Sequence, residues 1–101
     1  MNMQKLMQEA QKMQAQLLKE QKEIEETIYE GKSSLVSVKV NGNHEVLEVK
    51  ISLSEDEKLG FDDKEMLEDM VMVAMNDALS KIDADKEKKM GKYGQGLAGL
   101  M

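Results

Sequence analysis

The chain has 101 residues, with 14 lysines, no arginine, 20 acidic residues, no cysteine, three aromatics (Tyr29, Phe61, Tyr93) and a formal net charge of −6. That length fits a single domain with a modest core, which association with a second copy would strengthen. Composition excludes disulfides and thiolate metal sites, and no stretch approaches the roughly 18 or more apolar residues of a membrane span. Neither a secretory signal, for want of an apolar h-region, nor an aromatic stacking platform for single strands is expected.

The charge is unevenly spread. Residues 1–22 carry four lysines against two acids (+2), residues 45–80 eleven acids against three lysines (−8), and residues 81–101 five lysines against three acids (+2). Two basic ends flank an acidic middle, and this distribution decides where a polyanion can approach.

Residues 1–26 are expected to form a long projecting helix. Met3, Leu6, Ala10, Met13, Leu17 and Ile24 recur at alternating spacings of three and four, with Glu20 as the one polar intruder, which is an a/d seam. Gln, Lys, Glu, Met and Leu are good helix formers, and neither Gly nor Pro occurs before Gly31. At about 1.5 Å per residue the rod is about 35 Å long. A rod of that length must lean on another helix or project.

On this helix Lys5, Lys12 and Lys19 repeat every seven residues. Seven residues turn a helix by about 700°, about 20° short of two turns, so the three share a line. Lys22 extends it on nearly the same side, and glutamines fill much of the remaining polar surface. A solvated coiled-coil exterior has the same periodicity. A ladder of ammonium groups with neutral donors between them also suits a phosphate backbone. Bidentate guanine readout is mostly arginine's work, so any DNA binding is expected to show little sequence preference.

Residues 27–53 read as three antiparallel strands. Thr27, Ile28 and Tyr29 favour a strand, and Gly31-Lys32-Ser33-Ser34 supplies turn chemistry. Val36, Val38 and Val40 then alternate with Ser37 and Lys39. Asn41-Gly42-Asn43-His44 makes the next turn, predicted as type I′ with positive φ at its centre. Leu47, Val49, Ile51 and Leu53 place the apolar residues of a third strand on one face. The outer edges of such a meander are exposed and invite pairing or a cover.

After a polar loop, Asp62 or Asp63 is expected to cap a second long helix, 62–90, with the apolar stripe Leu67, Met70, Val71, Ala74, Ala78, Leu79 and Ile82. Met66, Met70, Met72 and Met75 on this helix are expected to fill core or interface. Lys86, Lys88 and Lys89 fall in its last turns, Gly91 is the expected stop, and the Gly-rich tail 91–101 is expected to be mobile. The order helix, three-stranded antiparallel meander, helix is an α+β domain.

Other candidate chemistry fails on spacing. Gly31-Lys32-Ser33-Ser34 resembles the end of a phosphate-binding loop, but that motif needs a glycine five residues earlier, where Glu26 stands, and a helix after it. A calcium loop centred on Gly60 would put Leu59 and Met66 at coordinating positions, and neither can coordinate. His44, the single histidine, has no motif that supplies a catalytic partner. No cofactor, metal, small-molecule substrate, membrane contact or enzymatic activity is expected.

The Met- and Gln-rich first helix, YEGKSSLVSVKVNGNHEVLEVKI, DDKEMLEDMVMVAMNDALSK and the ending GLAGLM together resemble the YbaB/EbfC family of bacterial nucleoid-associated proteins. The resemblance runs over essentially the whole chain, and its most specific pieces are Val40-Asn41-Gly42 with Glu45-Val46, and Asn76-Asp77-Ala78-Leu79. It implies a cytoplasmic, nucleoid-associated homodimer shaped like tweezers, with helices projecting from a sheet-centred body and DNA bound by the terminal helices. It also implies that the chain is not an enzyme. The binding role maps onto Lys5, Lys12, Lys19 and Lys22, and onto Lys86, Lys88 and Lys89. The expectation is therefore a homodimer that contacts duplex DNA through phosphates with little base readout, while its acidic body repels DNA. The alternative is a protein-interaction module that docks a partner helix on the seam of residues 3–24. Salt dependence separates the two, because seam docking is far less salt-sensitive.

Overall fold

The computed structural model describes residues 2–56 and 58–98, with side chains as far as Gly91. Helix α1 (Met3–Glu26) leads into strands β1 (Ile28–Ser33), β2 (Val36–Asn41) and β3 (Val46–Ile51), and a 3-10 turn at Phe61–Asp63 precedes helix α2 (Lys64–Ala98). This is the α+β order expected.

Each boundary has a local cause. The Asn2 side chain accepts a hydrogen bond from the Gln4 amide at 3.0 Å, and the Thr27 amide closes α1 on the Glu23 and Ile24 carbonyls at 3.0 and 3.1 Å. Asp62 and Asp63 stand in the 3-10 turn ahead of α2, where caps were expected, and Asp63 accepts from the Gly60 amide at 2.8 Å.

The sheet order is β1-β2-β3 with both pairings antiparallel. Because strand side chains alternate faces, Tyr29, Val36, Val38 and Val40 share one side, and Ala74, Ala78 and Ile82 of α2 close over them. Met70, Val71, Met75 and Leu79 pack at the margin of this core. Six of the seven residues of the stripe predicted for the second helix thus pack on the sheet, with Met75 added to them, whereas Leu67 is not part of this packing. Met66 and Met72, expected in core or interface, are exposed.

Three sequence expectations are corrected. Gly31 is not a turn residue but lies in β1, where α2 crosses it. A β-carbon there would overlap the Ala74 carbonyl oxygen and stand 2.5 Å from the Ala78 amide nitrogen. The hairpin instead turns at Ser34-Leu35, with Ser34 at φ 49°.

The second turn is not type I′, since positive φ falls on His44 (66°) and on no described glycine. Asn41 shapes a longer loop by accepting the Asn43 and Glu45 amides on its side-chain oxygen at 2.9 and 3.1 Å. The β2–β3 register slips by one residue beside it, so that Val40 faces Val46.

The third correction concerns Gly91. A glycine stops a helix by turning left-handed; Gly91 does not, and α2 continues to Ala98. Lys86, Lys88 and Lys89 therefore lie well inside α2 rather than in its last turns. Of the tail expected to be mobile, residues 91–98 are helical and residues 99–101 lie outside the described residues.

Two surfaces stay uncovered. Helix α2 packs on β1 and β2 and does not touch β3. Val49 and Ile51, opposite Val38 and Val36 in the register, are 50 % and 45 % exposed although they share the helix-facing side. In α1, every residue from Met3 to Gln16 is exposed, and only Ile24 near its end is buried. The molecule measures 72 × 23 × 15 Å with a radius of gyration of 20.3 Å, against about 13 Å for a compact chain of this length.

Candidate nucleic-acid interface

The candidate surface begins with α1. Lys5, Lys12, Lys19 and Lys22 are all exposed, and none of the ion pairs among the described residues engages them. Their ammonium groups keep full hydrogen-bonding capacity, with three donors each. The stretch from Met3 to Gln16 stands clear of the acidic body, so this part of the row faces solvent on an isolated rod.

The lysines of α2 are not equivalent. Lys86 is exposed and borders a cleft of about 410 Å³ at the root of α1, together with Ile24, Glu25, Asn43, His44 and Met90. Lys88 is exposed and belongs to none of the ion pairs among the described residues. Lys89 is committed: its Nζ lies 3.1 Å from Asp85 Oδ2, and that oxygen also accepts the Tyr29 hydroxyl at 2.5 Å.

Burial pushes the Tyr29 hydroxyl up to about 12, with the hydrogen bond and charge of Asp85 acting in the same direction. The Tyr29 hydrogen bond holds the Asp85 carboxyl below the usual carboxylate range, and Lys89 reinforces it. The structure thus separates Lys86 and Lys88, whose charges face solvent, from Lys89, whose charge helps to fasten α2 to β1.

Sequence reasoning did not find this fastening, nor a second one nearby. Lys81 donates to the Glu30 carbonyl at 2.6 Å and pairs with Asp77 at 3.5 Å, and Asp77 accepts the Lys32 amide at 3.1 Å. That amide, and then Lys81, hold Asp77 below its ordinary value. The available signal was the spacing of four between Asp77 and Lys81, and between Asp85 and Lys89, which pairs charges on one helix face.

The open face of the sheet carries both signs. Lys32 and Lys39 lie 3.6 and 3.4 Å from Glu30 and Glu48, leaving Lys50 outside these pairs around a shallow hollow of about 360 Å³. Among the described residues no group of three or more acids and histidines could hold a metal ion, and no helix is long and apolar enough to cross a membrane.

Comparison with known proteins adds to this geometry. The chain is similar to a nucleoid-associated protein of Ligilactobacillus salivarius, 40 % identical over 102 aligned positions covering 99 % of this chain and 95 % of that one. It is 43 % identical to a nucleoid-associated protein of Chloroflexus aurantiacus, with 99 % of each chain covered. Its fold matches the crystal structure of an uncharacterized protein from Helicobacter pylori, with a TM-score of 0.68 at 23 % identity, covering 92 % of this chain and 97 % of that one. A family model matches residues 1–97, and by that match and by its relatives, which are named nucleoid-associated proteins, the chain belongs to the YbaB/EbfC DNA-binding family.

Proposed function

We propose that the protein acts in the cytoplasm, on the nucleoid, as a homodimer that binds double-stranded DNA mainly through phosphates. The observation that carries this reading is the row of exposed, unpaired lysines Lys5, Lys12, Lys19 and Lys22 on a projecting helix, in a member of a DNA-binding family. A lysine is a compact charge on a flexible stem, suited to phosphate oxygens in many orientations. The absence of arginine removes the usual reader of guanine edges. The −8 balance of residues 45–80 keeps a duplex off the body and confines it to the arms. Lys86 and Lys88 extend the footprint, whereas Lys89 contributes only by leaving Asp85. No catalytic step or cofactor is part of this reading.

Support for the homodimer comes from β3. Its free edge offers unpaired backbone groups, and Val49 and Ile51 lie bare beside the core. Pairing two copies along β3 covers both and sets two arms on one duplex.

The reading is tested by fluorescence anisotropy on several unrelated duplexes over a range of salt. The logarithm of affinity should fall linearly with that of salt concentration, by about 0.9 for each phosphate neutralised, with similar affinities for all sequences. Binding that ignores salt, or one sequence preferred by orders of magnitude, would overturn it. The exposed Met/Leu seam of α1 favours a second reading, the docking of a partner helix, and salt-insensitive protein binding is its signature.

A further inference from the structure

Phosphate contacts leave one large feature of α1 unused. Met3, Leu6 and Met13 are 74 %, 45 % and 57 % exposed, and Ala10 between them is exposed too. Their three–four spacing is that of a coiled-coil seam, which is complete only with a second helix. We infer that this seam is an arm-to-arm contact: α1 of one molecule pairs with α1 of a neighbouring copy, so that two dimers, each on its own duplex, are joined.

The flanks of the seam select a copy of the same chain. In a two-helix pair the positions beside the a/d residues choose the partner by charge. Here these positions are Met7, Glu9, Gln14 and Gln16. A row of one sign would repel a copy and require an oppositely charged helix. Neutral glutamines do neither. In a parallel pair the one charge, Glu9, meets Gln14 of the other helix. Met3 and Met13 adapt to an identical surface, and Ala10 allows close approach.

The lysines fit the same arrangement. At about 100° per residue, Lys5, Lys12 and Lys19 lie more than about 100° around the helix from the middle of the seam. Pairing two seams therefore leaves both lysine rows facing outward, on opposite sides of the pair. Each row can then hold a separate duplex. The contact does not compete with β3, which lies on another element, and the acidic bodies repel one another, leaving the arms as the place where dimers meet.

The bridging part rests on the DNA-binding reading; the arm contact does not, and the experiment reads the two separately. Full-length protein is added to one duplex on beads and a second, labelled duplex in solution, and retained label is measured. The parent protein should retain the second duplex. Leu6→Gln combined with Met13→Gln keeps helix formers while removing two apolar anchors. It should lower retention about tenfold or more, with affinity and salt slope on a single short duplex unchanged.

Sedimentation without DNA should show a parent species of twice the dimer mass that grows with concentration and is missing in the double variant. Retention by the variant equal to the parent overturns the inference. Arms that stay unpaired at every concentration also overturn it, in favour of a helix from a different protein. Seam-dependent association in a parent that fails to bind any duplex upholds the arm contact and overturns the DNA-binding reading, and the bridge with it.

Discussion

The carbonyl oxygen of Ile24 occupies the space in which a β-carbon on Gly42 would stand, and the Glu25 α-carbon is 2.9 Å from the same point. The last turn of α1 thus rests directly on the loop between β2 and β3. Ile24 is itself buried, so this crossing, together with the contact of α1 with α2, fixes the arm to the body. Gly42 is needed for its missing side chain and not for a left-handed backbone.

This contact gives opposite expectations for two glycines. Gly42→Ala forces backbone apart and should cost about 1–3 kcal/mol, as overpacking does. Gly91 lies inside α2 with nothing within 4 Å of a β-carbon, so Gly91→Ala should gain about 0.5–1 kcal/mol from helix propensity. Thermal melts of both variants check this, and a neutral Gly42→Ala would mean that α1 leaves the body by another path.

The link between Tyr29 and Asp85 predicts the response to alkali. The Tyr29 hydroxyl is raised from 10.0 to about 12 in the folded protein. A raised value means that the folded state holds the proton more tightly. Its contribution to stability is full below about pH 10 and is lost as pH rises through about 12. Denaturant midpoints over that window should fall more steeply for the parent than for Tyr29→Phe. The variant should start about 1 kcal/mol lower, because Asp85 loses its donor. Asp85 behaves in the opposite sense: its depressed value adds stability above the ordinary carboxylate range that disappears on acidification, and Asp85→Asn should flatten the acid limb. Parallel curves for parent and variants would show that the link does not hold α2 to β1.

Strand β3 predicts the state of assembly. A chain of 11.4 kDa that pairs through β3 should scatter light as a species of twice that mass. Val49→Lys puts a charge on the bare face beside a strand edge, a common natural block to edge pairing. At concentrations too low for the α1 seams to pair, the variant should dissociate while keeping its circular dichroism, since Val49 is half-exposed in the single chain. A Val49→Lys protein that remains dimeric moves the interface elsewhere.

These surfaces differ in how far they could be read from residues alone. The seam of α1, the valines of β2 and the stripe of α2 were legible because each follows the period of its own backbone. Gly31 was misread as a turn former, and Gly42, which does lie in the turn, was misread as needing a positive φ, because the use of both is tertiary: one lies under α2 and the other under α1, from elements far away in the chain. The alternation of Val49 and Ile51 shows which way they point, but only the placement of α2 decides that β1 and β2 are covered and β3 is not. Gly91 looked like a stop because composition cannot report φ. The seven candidate lysines could be named from the seven-residue repeat of the first helix, the basic C-terminal end and the family resemblance, yet the distinction between Lys88 and Lys89 depends on Tyr29, 60 positions from Lys89 in the chain.

The lysine row itself is tested by replacing Lys5, Lys12 and Lys19 with Gln, which keeps helix propensity while removing three charges from each arm. All three residues are exposed and belong to none of the ion pairs among the described residues, so circular dichroism and dimer mass should not move. If each of them contacts a phosphate in a homodimer, up to six contacts disappear. The log–log salt slope should then shrink by up to about 5, at about 0.9 for each contact. Affinity at low salt should drop by a similar factor on unrelated duplexes, because phosphates carry no sequence. Lys89→Gln is the contrasting control: its ammonium is held by Asp85, so it should lower melting temperature more than it lowers DNA affinity. A triple variant that binds as tightly as the parent at low salt would reduce the row to a solvated face and leave Lys86 and Lys88 as the cations to test next.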